Sequence, residues 1–513
     1  DAPTDQVAAA PSPGLSEDGA SSAKRAAPSV SESYAEPLME PVPIQQPNTE
    51  AFANADRNGP QATAQNPVST FSIDVDTASY GIVRSSLMGG YLPPPDAVRI
   101  EEMVNYFPYS YPAPDVGAAP FRPDIDVIQT PWNPQTKLVR IGVQGALPPM
   151  ADRPPLNLVF LIDTSGSMED ANKLPLLQQG FRLMLGQLRP EDKVAIVTYA
   201  GSAGEVLAPT PASDRATILA ALDRLAAGGG TNGQAGLEQA YAEAERMAGD
   251  GRVSRVILAT DGDFNLGLDD PRALEEFIAG KRKSGTYLSV LGFGRGNLDD
   301  ATMQALAQKG NGTAAYIDTL QEAQKVLVDQ LTGALFPIAD DVKIQIEWNP
   351  AAVAEWRLIG YETRALNRAD FSNDKVDAGE IGAGTAVTAL YEVTPPGSPA
   401  LRNETLRYGT TIEGEAKAAE LGFLRLRWKA PGGAVSSLVE EPIPAGATDG
   451  SDDTRFAAAI AGFGQLLTGG AYLDGWGWQD AIALAASAKG PDPYGYRGEA
   501  IGLMRLAQSL SVQ

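Results

Sequence analysis

The sequence predicts an α/β protein in which a doubly wound, mostly parallel sheet sits mid-chain, flanked by a β-sandwich and closed by a C-terminal helical module. Three observations predict it. From Asn157, apolar runs without strict alternation recur between segments of helical spacing, as strands buried on both faces and their covering helices should. Strand-like segments stand on both sides of that region. From Thr454 to Leu510 the apolar spacing returns to three and four, the period of amphipathic helices.

In chain order, residues 1–68 are rich in Ala, Pro, Ser, Glu and Gln and carry too little apolar surface to offset ordering entropy. They read as a disordered tail, either a surface tether or a plain N-terminal extension. Over 69–150, FSIDV at Phe71 alternates like an edge strand and a capped helix follows over 76–87. Pro93, Pro94 and Pro95 break the chain, and Pro95 opens a second helix over 96–107 with Val98, Met103 and Phe107 on its buried face. Two strands follow, over 124–129 and 137–144.

Over 151–334 six strands are expected: LVFLID at Leu158, VAIVTY at Val194, the short EVLA at Glu205, VILATD at Val256, YLSVLGFG at Tyr287 and AAYID at Ala314. Helices over 172–188, 213–226, 233–248, 270–284 and 298–308 separate most of them, several with Asp, Ser or Asn near the start as a cap. Over 335–450 the strands VKIQIEW, VTALYEV, LRYGTTI and FLRLRWKA, with a weak candidate near Ser437, predict a β-sandwich. Helices FAAAIAGFGQLL, QDAIALAASA and RGEAIGLMRLAQSL fill 451–513. Strands before and after the α/β region imply that it is inserted into one sandwich built from both flanks.

Composition excludes several function classes. The chain carries 64 Asp+Glu against 40 Lys+Arg, a net charge of -24, which argues against nucleic acid or anionic lipid as the main partner. It contains 0 Cys and 0 His, so thiolate nucleophiles, Ser-His-Asp triads, Cys/His zinc sites and disulfides are ruled out. Any metal must rest on oxygen ligands, which favours Mg²⁺, Ca²⁺ or Mn²⁺. No stretch approaches the roughly 20 apolar residues of a transmembrane helix. The chain begins at Asp1 without a cationic, apolar leader, as expected of a processed or trimmed form.

The candidate site begins where LVFLID ends. Ligands of open parallel sheets sit beyond the carboxyl ends of the strands, and there Asp163-Thr164-Ser165-Gly166-Ser167 offers one carboxylate and two hydroxyls on a loop that Gly166 lets bend. Two later loops converge on the same rim: Gly228, Gly229 and Gly230 lead to Thr231, and VILAT ends at Asp261 with Gly262 after it. The plainer alternative is that Asp163 and the hydroxyls only cap the helix over 172–188.

These segments, DTSGSM at Asp163, GGGTNG at Gly228 and ATDGD at Ala259, closely resemble the von Willebrand A family over about 157–332. The resemblance implies a metal-ion-dependent adhesion site in which Ser165, Ser167 and Thr231 meet a divalent cation directly or nearly so, while Asp163 and Asp261 act largely through water. Mg²⁺ is the first expectation, with Mn²⁺ and Ca²⁺ open. Neutral hydroxyls leave the cation under-neutralised, so a carboxylate from a protein partner completes its shell. FSIDVDTASY at Phe71, LPPPDAVRIEEMVNYF at Leu92 and DAGEIGAGTAVTALYEV at Asp377 resemble a bacterial extracytoplasmic group of these proteins, which implies a periplasmic or cell-surface location. The chain lacks the lipid-attachment Cys of lipoprotein members, and Thr385 stands where members often carry a basic residue after the Gly382-Ala383-Gly384 turn. A role tied to that basic residue does not carry over, while tethering through the N-terminal tail stays open.

Weaker signals point elsewhere. Asp74-Val75-Asp76 is similar to an aspartyl-phosphate motif, but Ala78 stands where a Thr is required, so the segment reads as architectural. Asp263 reads as a loop residue beside the site. Trp476, Trp478, Tyr494 and Tyr496 form either a contact platform or helix-junction core, the latter favoured. No phosphate loop or complete dinucleotide motif occurs, and no catalytic pair stands out. The expected protein is a non-catalytic binding or scaffold protein; the alternative is a structural component of a cell-envelope assembly in which the metal only steadies the fold.

Overall fold

The computed structural model describes residues 50–513 except 54–55, 74–75, 116, 149–152, 231–232, 250, 263–270, 283–284, 331–335, 405–418 and 512–513. The central sheet has the order Ala314–Ile317, Thr286–Phe293, Val253–Thr260, Leu156–Asp163, Lys193–Tyr199, Ala203–Pro211. The first five strands run parallel and the last is antiparallel, so the expected short strand at Glu205 is a nine-residue edge. Leu156–Asp163 lies in the middle and is buried throughout, with its side chains divided between two cores. Leu158, Phe160 and Ile162 pack with Leu177 and Phe181 of helix Leu174–Leu185 and Ile218 of Arg215–Asp223. Val159 and Leu161 pack with Leu237 and Tyr241 of Gly233–Met247 and Leu306 of Asp300–Lys309. That two-sided burial explains the unbroken apolar runs.

Both flanks build two further sheets. One has the order Gln61–Ala62, Glu355–Ile359, Ala386–Thr394, Lys137–Gly145, Phe121–Gln129; the other runs Gly379–Gly382, Pro337–Trp348, Glu420–Lys429, Ser436–Pro444, with Val68–Ser72 on the edge of Pro337–Trp348. Their inward residues, among them Phe71, Val139, Ile344, Tyr391 and Leu424, share one core, so strands from before and after the α/β region complete the same sandwich. The C-terminal helices Asp452–Leu467, Trp478–Ser487 and Tyr496–Leu510 pack on the N-terminal helices Ala78–Met88 and Ile100–Asn105.

Buried charges tie these parts to the α/β region. Arg99 pairs with Glu102 and, at 2.6 Å, with Asp300; Arg84 pairs with Asp318, Glu322 and Glu499. With Arg84 3% exposed, losing a carboxylate partner strands a buried charge, a cost of about 3–5 kcal/mol.

Several expectations are corrected. The tail expected over 1–68 ends earlier: residues 1–49 lie outside the described residues, but Glu50 pairs with Arg295, Asn58 donates to Gly360 O at 2.7 Å and Gln61–Ala62 joins a sheet. Phe52 packs against the α/β core, but most of the contacts that hold this stretch are polar and reach distant residues, so its composition hid it. The helix over 96–107 is a 3₁₀ turn Pro95–Ala97, an extended Val98 and a short helix Ile100–Asn105. Thr77 makes no side-chain cap to Ala78–Met88. Helix Leu320–Gln324, running into a π-helical turn Lys325–Asp329, and strands Glu355–Ile359 and Gly379–Gly382 were not expected. The weak candidate at Ser437 is a nine-residue strand, and LRYGTTI lies outside the described residues.

Candidate metal centre

The geometry starts from strand register. Ile162 pairs with Ala259 across neighbouring parallel strands, so Asp163 and Asp261 leave the sheet on the same rim, side by side. Backbone bonds stitch the loops there together. Thr164 N donates to Tyr199 O at 3.0 Å, Gly228 N to Thr164 O at 2.8 Å and Gly166 N to Gly229 O at 3.2 Å. The glycine loop is thereby fastened onto the Asp163 loop two residues before Thr231, which itself lies outside the described residues.

Four of the five expected side chains can be followed. Asp163 is fully buried, and its Oδ1 accepts from Ser165 N at 2.8 Å. Its Oδ2 is buried with no hydrogen-bond partner among the described residues. The Ser165 and Ser167 hydroxyls stand 3.0 Å apart. Asp261, also fully buried, accepts from Lys173 Nζ at 2.9 Å, and the same ammonium donates to Ser167 O at 2.9 Å. Burial pushes the Asp163 carboxyl up to about 6, against the pull of the Ser165 hydrogen bonds and with the Asp261 charge adding to the rise. Burial acts on Asp261 in the same sense, but hydrogen bonds from Lys173 and Asn297 and the Lys173 charge outweigh it and hold that carboxyl below its ordinary value. The rim thus offers an under-neutralised carboxylate oxygen and two hydroxyls in one place. Hard oxygen donors around an orphaned buried anion suit a divalent cation.

The capping alternative fails on geometry. Helix Leu174–Leu185 starts at Leu174, its N-cap Lys173 makes no side-chain cap bond, and the Asp163 and Ser165 bonds stay within their own loop. Asn172 is therefore not the cap, whereas Asp214 and Asp299 do cap their helices through Thr217 N and Thr302 N.

Lys173 is the residue the sequence reading missed. A cation at a helix N-terminus opposes the helix dipole, and that misfit was the available signal. Its stem is seated on Gly294, where a Cβ would meet Lys173 Cε at 2.3 Å. The remaining candidates are structural or unassigned. Asp76 accepts from Ala314 N at 2.7 Å and from Arg364 at 2.9 Å, an architectural role, while Asp74 and Asp263 lie outside the described residues. Trp476 packs on Trp132, Trp478 on Phe463, and Tyr496 is buried; only Tyr494 is exposed. The described residues hold no group of three or more acidic side chains that could form another metal site, and no helix among them is long and apolar enough to cross a membrane.

Three family models match: "von Willebrand factor" over 46–140, "von Willebrand factor type A domain" over 158–263 and "Uncharacterized protein YfbK, C-terminal" over 333–510. The chain is 45% identical over 476 residues to Uncharacterized protein YfbK of Escherichia coli K12, covering 91% of this chain and 83% of that protein. It is 32% identical over 187 residues to Uncharacterized protein sll0103 of Synechocystis, covering 36% of this chain and 43% of that protein. Among solved structures, a von Willebrand factor type A protein from Catenulispora acidiphila matches with TM-score 0.42 and 17% identity over 75% of this chain and 89% of that one. At 45% identity across most of both chains, this protein belongs to the YfbK family of bacterial proteins that carry a von Willebrand factor type A domain.

Proposed function

We propose that the chain is a non-catalytic binding or scaffold protein that holds a divalent cation, Mg²⁺ first, through Asp163, Ser165, Ser167, Thr231 and Asp261. The cation captures a carboxylate of a protein partner. The observation that carries this reading is Asp163 Oδ2, buried and without a hydrogen-bond partner among the described residues, beside two hydroxyls 3.0 Å apart. Leaving such an oxygen unsatisfied costs on the order of 1–3 kcal/mol, more for a charged group, and a cation or its bound water would offset that cost. The cation supplies one positively charged coordination position; the protein supplies its placement on a rigid sheet rim and Lys173 as a fixed neighbouring charge.

The partition into 151–334 as the adhesion domain, with 69–150, 335–450 and 451–513 around it, belongs to the same proposal, as does an extracytoplasmic location. Isothermal titration of the intact chain with Mg²⁺, Mn²⁺ and Ca²⁺, beside Asp163→Ala and Thr231→Ala, tests it. Saturable one-site binding lost in both variants is expected; binding unchanged in both would remove the site.

A further inference from the structure

At the other end of the central sheet lies a cavity of about 380 Å³, within the size range of small-molecule sites. It opens where the α/β region, the sandwich and the helical modules meet. Arg255 lines it near the start of Val253–Thr260, the strand whose far end leads to Asp261, so it stands roughly 20 Å from the metal rim at about 3.3 Å per residue. Phe107, Pro108 and Leu147 supply apolar wall, and the exposed Leu147 and Tyr494 mark its mouth.

Arg255 is anomalous. Only 2% of it is exposed, yet among the described residues it donates a single hydrogen bond, to Ser289 Oγ at 2.7 Å, and its Nε has no partner. The Tyr287 ring lies 5.2 Å from its guanidinium carbon, and no described carboxylate pairs with it. The other buried arginines among the described residues pair with carboxylates, Arg84, Arg99, Arg140 and Arg153 among them. Glu380, also on the cavity wall, is buried with Oε1 unpartnered. Burial and the nearby Asp377 and Asp340 charges push its carboxyl well above the ordinary range. A buried guanidinium without a counter-ion is costly, and proteins retain one where a ligand supplies the missing charge.

We propose that this cavity binds a small organic monocarboxylate, with Arg255 as its counter-ion. Two cations line the cavity: Lys325 stands 3.9 Å from Glu322, which leaves Arg255 as the one whose charge a single carboxylate would match. A dianion such as phosphate would bring a second charge toward Asp329 on the same wall. The apolar wall takes the organic body. The site is independent of the metal rim, so chelator leaves it intact.

The test is ligand-observed NMR and titration of the intact chain with acetate, benzoate and octanoate, with benzamide as the uncharged counterpart and phenyl phosphate as the dianion. At least one carboxylate is expected to bind at least tenfold more tightly than benzamide and phenyl phosphate, and to lose at least tenfold in Arg255→Met. Because Arg255 has no carboxylate to strand, Arg255→Met should melt at or above the wild-type temperature without ligand. Leu147→Trp, at the exposed mouth, should weaken the same carboxylate while leaving the fold intact, and it decides the matter if Arg255→Met does not fold. The proposal is overturned if no carboxylate binds, if benzamide or phenyl phosphate binds as well, or if either folded variant keeps wild-type affinity.

Discussion

Gly262 connects the metal rim to the rest of the α/β region, and its replacement by alanine is a sharp perturbation. Its φ is +100°, and a Cβ there would lie 2.5 Å from Leu298 Cα and 2.7 Å from both Asn297 O and Asp299 N. These are backbone atoms and cannot swing aside. The left-handed conformation costs an L-residue about 1–2 kcal/mol and forced overpacking adds about 1–3, so Gly262→Ala should lose about 2–5 kcal/mol. For a cooperative unit of 150–250 residues this lowers the melting temperature by on the order of 10 °C. Gly228→Ala is the internal control: it lies in the facing loop, a Cβ there meets nothing within 4 Å, and its stability should be unchanged or slightly raised. Circular dichroism melts of both variants in chelator read the difference, and titration with Mg²⁺ should show Gly262→Ala weakened as the displaced backbone carries Asp261 with it. Equal melting temperatures for the two variants would refute the reasoning.

Other predictions follow from buried charges. Lys173→Met removes the cation from the buried Asp261 carboxylate, so the metal-free protein should lose about 3–5 kcal/mol while Mg²⁺ restores more stability than in the wild type; a variant whose melting is indifferent to both changes would contradict the Lys173 contact. Arg99→Leu strands Glu102 and Asp300 and should cost a similar amount, with Arg99→Leu/Asp300→Leu less damaging than the sum of its parts in a double-mutant cycle. Lys325 is buried against the Tyr106 ring, 3.1 Å from its centroid, and burial pushes its ammonium down to about 7. The unfolded lysine titrates near 10.4, so between the two values the unfolded chain binds the extra proton and stability rises with pH. Relative to Lys325→Met, the wild type should gain about 2–3 kcal/mol from pH 7 to pH 9 in urea unfolding; a flat difference would show that Lys325 stays charged in the fold.

The rim was legible because its chemistry is local. Asp163, Ser165 and Ser167 occupy one loop, Asp261 ends a buried strand, and apolar runs with two-sided burial placed both strands in one parallel sheet. The sandwich was legible as strands from both flanks, but not in its register: Glu355–Ile359 carries a buried Arg357 paired with Glu392, so it lacks a strand's apolar signature. Residues 50–62 are likewise sparse in apolar side chains: of those described, Phe52 alone packs on a core cluster, beside polar contacts to distant residues such as Arg295 and Gly360. Lys173 and Arg255 escaped notice because their meaning lies in what surrounds them. One is a cation placed against two acceptors, with its place at a helix start as the sole local sign; the other is a cation without a carboxylate, an environment set by distant residues.

The position of a divalent ion on the sheet rim is the property on which the proposed function of this protein depends. Crystals of the intact chain grown with Mn²⁺, measured for anomalous scattering, should give one strong peak within about 2.0–2.6 Å of the Ser165 and Ser167 hydroxyls, lost in Asp163→Ala. A crystal without a peak there, or with its strongest peak elsewhere on the chain, would contradict the central claim.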